Sequence, residues 1–270
     1  MLKNKFALIG AGIITLLLIT AVFAPYLAPY HPLEQDIRQG LAKPNAAHWF
    51  GQDKLGRDLF SRVLYGSRIS LWVGLSTVSV SLPFGITIGA LAGYYGGLVD
   101  EVFMRIIDIL MAFPGILLAI AMVAVLGPGL NHVILALCLI GWVGYARVVR
   151  GQVLYLRELE YVTAARALGA GPARIILYHL IPNLLAPLIV EATFGMAGAI
   201  LAEASLSFLG LGAQPPTPSW GSMLNEGREF LLLASHHTTF PGLAIMLVVL
   251  GFNFLGDGLR DYFDVKNQRR

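Results

Sequence analysis

Acidic residues inside apolar runs are the side chains of this sequence that could do chemistry within a membrane. Glu191 lies deep in one such run, Glu203 lies near the end of the same run, and Asp108 lies near the start of another. Intramembrane acids mark substrate or proton pathways. Asp108 follows Arg105 by three residues, so the two can pair on one helix. Only Glu191 is deep, which disfavours proton coupling and leaves it as a structural acid or part of a transport path.

The motifs of the common enzyme classes are missing. No Gly is followed by Lys, so the sequence has no P-loop, and it has no dinucleotide fingerprint, zinc-protease motif or nucleophile elbow. His236 and His237 are adjacent, and neighbouring residues of a helix or strand point apart, which disfavours a metal site. The single cysteine, Cys138, excludes a disulfide framework. We therefore predict no catalytic residues, no metal site and no cofactor bound by this chain.

The composition is that of a helical membrane protein. Of 270 residues, 56% are hydrophobic and 13% are charged, against about 25% charged in soluble domains. This excludes a disordered chain, a coiled coil and an ordinary cytosolic enzyme, and a net charge of +3 is too small to indicate nucleic-acid binding. Crossing a bilayer takes about 20 apolar residues. The sequence predicts an all-α protein, one domain over residues 1–270, with six spans: 6–24, 69–93, 106–126, 133–149, 184–202 and 240–255.

The basic residues predict that both termini are cytoplasmic. In this orientation the inside loops and tails carry most of the Lys and Arg, as membrane proteins prefer. The first outside loop, 25–68, is also basic and violates the rule, a conflict that the sequence leaves unresolved; the second outside loop is 204–239. The inside set is Lys3, Lys5, Arg105, Arg147, Arg150, Arg157, Arg166, Arg174, Arg260, Lys266, Arg269 and Arg270.

The second half of the first outside loop has a helical pattern. Apolar residues recur at helical spacing over residues 54–68, while Arg57, Asp58, Arg62 and Arg68 take other faces. One interpretation is a helix lying in the membrane interface, its Arg side chains reaching lipid phosphate. The other is a solvated helix that caps the next span.

Glycines in the second predicted span recur every fourth residue. Gly85, Gly89 and Gly93 therefore share one helix face. A face without side chains lets another helix approach closely. The spacing predicts a tight helix contact, with a partner helix from either this chain or another.

The inside loop, 150–183, is long and patterned. A helix with a face of small side chains is expected up to Leu168. Gly169–Gly171 should break it, and a second helix should begin at Pro172. Ile175, Ile176 and Leu180 would form an apolar face of that second helix, and Pro182 would end it. Connectors are usually short, so this pair of helices over 160–182 is interpreted as a docking element.

The docking element resembles the "EAA" loop of ABC importer permeases. That motif reads E-A-A, three residues, G, nine residues, then I-x-L-P. Thr163, Ala164 and Ala165 occupy the E-A-A positions, Gly169 the Gly position, and Pro182 the final Pro. Thr163 replaces the motif's Glu, and His179 and Ile181 also depart from it. The resemblance implies docking of an ATPase at the level of the loop, through Thr163, Ala164, Ala165, Arg166, Gly169 and Pro182.

Three further stretches narrow the family. Residues 50–62 (FGQDKLGRDLFSR), 205–221 (SLSFLGLG, then QPPTPSWG) and 253–261 (NFLGDGLRD) resemble stretches of the peptide-transporter branch. These stretches and the docking element are spread over residues 50–261, so the resemblance extends over nearly the whole chain. The chain resembles the C-type permease subunit of dipeptide, oligopeptide, nickel and glutathione importers.

The resemblance implies a six-span type I ABC importer permease in the inner membrane of a prokaryote. It would pair with a second, homologous permease as a heterodimer, embedded in lipid. Two cytoplasmic ATPases would bind ATP and Mg²⁺, and an external binding protein would deliver the substrate. No nucleic acid is expected as a partner.

The substrate path is the least specified part of the resemblance. Glu191, Glu203, Gln214 and Trp220 are candidates for the path or for contact with the binding protein. Di- or oligopeptides are favoured as substrate, with nickel and glutathione as alternatives. A self-sufficient, ion-coupled secondary transporter is the alternative from another class, but the expected inverted repeat and broken midplane spans are not visible in the sequence.

Overall fold

The computed structural model describes residues 5–268, with side chains described as far as Phe263. Lys3, Arg269 and Arg270, and the side chain of Lys266, on which the predicted orientation partly rests, lie outside the described part. Within that part the regular elements are helical, apart from one isolated bridge between Gln52 and Asp58. The all-α prediction is confirmed. The main helices are α1 Lys5–Leu27, α2 Leu59–Tyr95, α3 Gly97–Met111, α4 Gly115–Leu126, α5 Leu130–Leu156, α6 Glu160–Ala167, α7 Pro172–Ile175, α8 Ile181–Phe208, α9 Trp220–Gly227 and α10 His236–Gln268.

Five helical segments of the described chain are long and apolar enough to cross a membrane, and a sixth crossing is reached if α3 and α4 count as one. Five of the predicted spans fall inside α1, α2, α5, α8 and α10. The length of α2, 37 residues, exceeds what a bilayer needs. Its first turns therefore extend beyond the predicted span.

The third predicted span, 106–126, is bent and is not one straight helix. α3 and α4 meet at an angle of 84°, and Pro114 stands at the break as the N-cap of α4. Proline has no backbone N–H to continue a helix, and it disfavours helical backbone in the residue before it. α4 has 12 residues, a length of about 18 Å, against a bilayer core of about 30 Å. This helix alone does not complete a crossing.

The interfacial-helix interpretation of residues 54–68 is wrong. The helix begins only at Leu59, where the Asp58 carboxylate caps it by accepting the Ser61 N–H at 2.7 Å, and it runs on into the span. Arg57 and Arg62 are buried. Their guanidinium groups bind carboxylates of this chain and reach no lipid phosphate, and burial likewise rules out the solvated alternative for these two residues.

Pro182 does not end the second helix of the inside loop, contrary to the prediction. It is the second residue of α8, which continues α7 through a π-helical segment, Ile176–Leu180. A wider π turn accommodates a residue that has no N–H to donate to the preceding turn. The docking element is thereby joined without a break to the membrane-spanning helix α8.

The glycine face of α2 lies against α5 of the same chain. A Cβ atom added at Gly85 would lie 2.6 Å from Tyr145 Cβ, and one at Gly93 would lie 2.9 Å from Val153 Cβ. At Gly89 it would collide with the carbonyl oxygen of Ala146. The two backbones approach so closely that only glycine fits at these three positions.

Candidate functional site

The first part of the candidate site is the exposed helix α6. Thr163, Ala164 and Arg166 are exposed and Ala165 is half-buried. The helix ends in a Schellman motif, in which the Ala170 N–H donates to the Ala165 carbonyl and the Gly169 N–H to that of Arg166, each at 3.0 Å. Gly169 provides the left-handed backbone that this motif needs, with φ at +87°.

Buried contacts fix α6 to the membrane domain. Val162, on its inner side, is fully buried in a cluster with Val153, Ile175 and Leu180. The Arg166 guanidinium of α6 lies 5.8 Å from the ring centre of Tyr94 in α2. At the end of α5, the Arg157 guanidinium donates to the carbonyl of Gly93 in α2 at 2.7 Å. Displacing α6 would therefore also move the ends of α2 and α5.

The outer side of the same element is unoccupied within the described chain. Leu168, at the end of α6, is 90% exposed, and Tyr178 of the π segment is 74% exposed. Pro182 is exposed as well. Small side chains at Ala164 and Ala165, beside large exposed apolar ones, form a surface that another protein could contact closely.

Ion pairs join α3 to α5 next to this element. Arg150 binds Asp100 through two nitrogens, at 2.8 and 2.6 Å. Asp108 pairs with Arg147 at 2.5 Å, so the predicted pairing with Arg105 is replaced by a contact between helices. These pairs hold the bent α3–α4 unit against α5.

The second part of the candidate site is a cavity among the spanning helices. It encloses about 350 Å³, at the lower end of the range of small-molecule sites. Glu191 and Tyr145 are two of its polar lining residues, with Thr77 and Ser81 from α2. Glycines form much of the wall: Gly115, Gly141, Gly144, Gly195 and Gly198. The missing side chains of Gly144 and Gly198 leave open space, while Ser81 and Tyr145 fill the space beside Gly141 and Gly195.

The other predicted path residues lie elsewhere. Glu203 is fully buried and its carboxylate accepts the Ser207 hydroxyl at 2.6 Å. Trp220 is also buried, and its indole N–H donates to the Val63 carbonyl at 2.9 Å, so it fixes α9 to α2. Both side chains therefore lie away from the surface of the described chain, and their roles in the path or in contact with the binding protein stay predictions. Gln214 is exposed, and its amide donates to the carbonyl oxygens of Gly210 and Gly212.

Sequence reasoning missed a buried network of charges. Asp53 binds both Arg57 and Arg62 at 2.5 Å, and Arg57 continues to Glu226 of α9 at 2.7 Å. Burial raises the pKa of Asp53, but the guanidinium groups of Arg62 and Arg57 outweigh this effect, and the pKa lies below its ordinary value. The signal in the sequence was the acid–base alternation of residues 53–62, which has no visible link to residue 226.

His237 brings a third possible ligand to this network without making it a metal site. Ligand atoms of Asp53, Glu226 and His237 lie within 4.8 Å of one another. The two carboxylates already neutralise Arg57 and Arg62, so a divalent cation would enter a buried, electrically balanced site beside two fixed positive charges. The network is therefore a structural connection between residues 53–62 and α9.

We predict that Asp53→Asn lowers the stability of the protein by about 3–5 kcal/mol, the usual cost of breaking a buried ion pair. It removes the more deeply buried of the two carboxylates, Asp53 and Glu226, that Arg57 and Arg62 share. Thermal unfolding of the purified protein in detergent measures the loss. Glu229→Gln, at an exposed acid nearby, is the control and should change stability by less than about 0.5 kcal/mol. Equal melting temperatures for the two variants would contradict the prediction.

The same network predicts the pH dependence of stability. Because the pKa of Asp53 is lowered in the folded protein, its contribution is present above the pKa of the unfolded chain and is lost as the pH falls through the folded value. Melting temperatures measured on the acid side should fall less steeply in Asp53→Asn than in the wild type. An unchanged slope would contradict this.

Two known protein families match this chain. Residues 85–269 match the family described as "Binding-protein-dependent transport system inner membrane component". Residues 1–44 match the "N-terminal TM domain of oligopeptide transport permease C". The two matches together cover both ends of the chain and most of its length.

Individual relatives are similar over nearly the whole chain. The dipeptide transport system permease protein DppC of Alkalihalophilus pseudofirmus is 50% identical over 98% of this chain and 87% of its own. The glutathione transport system permease protein GsiD of Pectobacterium atrosepticum is 48% identical over 96% and 86%. Among solved structures, an inward-facing MetNI methionine ABC transporter aligns with a TM-score of 0.56 at 22% identity, over 75% of this chain and 97% of that one.

Proposed function

The chain belongs to the family of binding-protein-dependent transport system inner membrane components, and from this premise we propose that it is one permease subunit of an ATP-driven importer of di- or oligopeptides. It is a multi-pass membrane protein. The observation that carries the proposal is the exposed helix α6, held by buried contacts to the spanning helices. The other half of the translocation path would come from a second, homologous permease, with which this chain forms a heterodimer.

The exposed face of α6 supports docking of a cytoplasmic ATPase. A partner groove could receive Thr163, Ala164 and Ala165, with Arg166 and Gly169 at the end of the contact. The sequence has no P-loop of its own, so ATP and Mg²⁺ would be used by two ATPase subunits and this chain would bind no cofactor. Both termini would then be cytoplasmic, on the same side as α6.

The unbroken connection from α7 to α8 supports the way in which such docking would drive transport. When ATP binding closes the ATPase pair, α6 and α7 would move with it. α8 continues α7, so this displacement would tilt α8 and change the cavity that Glu191 lines. A partner's ligand would thus shift the permease between two states.

The relatives support a peptide as substrate. The dipeptide permease and the glutathione permease are about equally similar to this chain. The substrates named for both proteins contain amide bonds. An external binding protein would deliver the substrate. Nickel import remains the alternative within this class; ion-coupled secondary transport is disfavoured, since α6 would then have no partner to contact.

Co-purification tests the proposal. The chain is tagged in its native host, extracted in mild detergent and analysed for the proteins bound to it. We expect a second permease and ATPases with P-loops. A folded chain that transports peptide without any ATPase would contradict the importer, and uptake that depends on a pH gradient would favour the secondary transporter.

A further inference from the structure

Glu191 is a carboxyl group near the middle of the predicted span 184–202, half-buried and without a hydrogen bond or ion pair to any described residue. It lies two residues, about 3 Å along the helix axis, from the middle of the predicted span 184–202. Among the side chains that the structure describes, none forms a hydrogen bond or ion pair with it, while Arg147 and Arg150 are engaged by Asp108 and Asp100. An unpaired acid at this depth is costly, and such acids face a water-filled cavity or mark the path of a substrate.

The side chain next to Glu191 is a phenol. Gly195 follows Glu191 by four residues, so the two share one face of α8, and the Tyr145 hydroxyl lies directly over Gly195, where a side chain would collide with it. Tyr145 and Glu191 both line the cavity. The Tyr145 hydroxyl also has no hydrogen-bond partner within the described residues, so a carboxylate that accepts and a phenol that can donate or accept face the same space.

A small, positively charged hydrogen-bond donor fits these two groups. A carboxylate accepts hydrogen bonds only, a phenol oxygen can accept one, and an ammonium group donates three. Charge-assisted bonds of this kind are the strong ones. A substrate amine in the cavity would satisfy both groups for as long as it is there, and the glycine walls leave about 350 Å³ for it.

We propose that Glu191, with the Tyr145 hydroxyl beside it, binds the ammonium group of a substrate as that substrate passes through the cavity. The inference rests on the proposed import of peptides and adds the chemical class that this path selects. It makes Glu191 a substrate-contacting residue. Its test uses the whole importer, with both permeases, the ATPases and the binding protein, in membrane vesicles.

Uptake kinetics are the first measurement. Glu191→Gln keeps the size of the side chain and removes its charge, and it should lower the peptide uptake rate about tenfold, as expected for one lost charge-assisted hydrogen bond. Glu191→Asp should retain most of the rate. Uptake by Glu191→Gln at the wild-type rate would overturn the inference. A wild-type importer that carries no peptide at all would instead overturn the proposed function.

Zero-length crosslinking identifies the amine. A water-soluble carbodiimide added during peptide uptake joins a carboxyl to a primary amine in contact with it, and mass spectrometry then locates the amide. We expect a substrate dipeptide attached at Glu191, none with Glu191→Gln, and none when the dipeptide is N-acetylated. Attachment of Glu191 to a lysine of the second permease would show a fixed protein partner and overturn the inference, as would the absence of any adduct at Glu191.

Discussion

Replacing Gly169 by valine is expected to reduce uptake to background while the protein still inserts in the membrane. Gly169 has φ at +87°, where a β-branched residue costs about 1–3 kcal/mol. A Cβ at this position would meet no atom within 4 Å, so the effect comes from the backbone alone. Losing the left-handed turn breaks the Schellman motif and turns α6 away from α7. Uptake in vesicles and the amount of membrane-inserted protein are measured side by side.

Gly171→Val is the matched control for this variant. It lies two residues further on, is also exposed, and a Cβ there also meets no atom within 4 Å, but its φ is −71°, which any residue adopts. We expect nearly normal uptake. If Gly169→Val transported like Gly171→Val, the assignment of this turn to coupling would be wrong.

Replacing Gly198 by leucine should block uptake by filling the cavity. Gly198 lines the cavity, and a Cβ at this position has no atom within 4 Å, so the new side chain enters open space without displacing its neighbours. Leucine is also a better helix former than glycine, by about 0.8 kcal/mol. The expected result is a stable, assembled importer that no longer carries substrate. Peptide uptake is measured together with the recovery of the second permease and the ATPases.

Gly151→Leu tests whether the cavity explains this effect. Gly151 is an exposed glycine of α5, equally free of neighbours for a Cβ, but it does not line the cavity. Its variant should transport normally. Normal uptake by Gly198→Leu would show that substrate does not pass this cavity, whereas loss of the second permease from the complex would assign Gly198 to a subunit contact.

Local patterns predicted local structure well. Gly169 and Pro172 mark a helix end and a helix start whose reasons are confined to a few neighbouring residues, and the structure has both features there. Apolar run length likewise indicated five of the spanning segments. Run length did not indicate the bend in the third span, because it ignores Pro114, which interrupts the helical backbone.

The candidate site was harder to predict because it depends on distant contacts. Trp220 is a candidate for the path or for contact with the binding protein by sequence, but its hydrogen-bond partner, Val63, is 157 residues away in the sequence. Glu203 was assigned by its position in the span, while its burial depends on how α8 and α9 pack. Glu191 is placed in the cavity by four helices together, and no single segment contains that information.

The buried charge network is completed late in biosynthesis. Its members are Asp53, Arg57, Arg62 and Glu226. Arg57 and Glu226 are 169 residues apart, so most of the chain is made between them, and domains form from the N-terminus onward during synthesis. Until α9 emerges from the ribosome, two arginines share the single carboxylate of Asp53. A nascent or truncated chain that ends before residue 226 thus lacks the second carboxylate of this network and keeps an excess positive charge there.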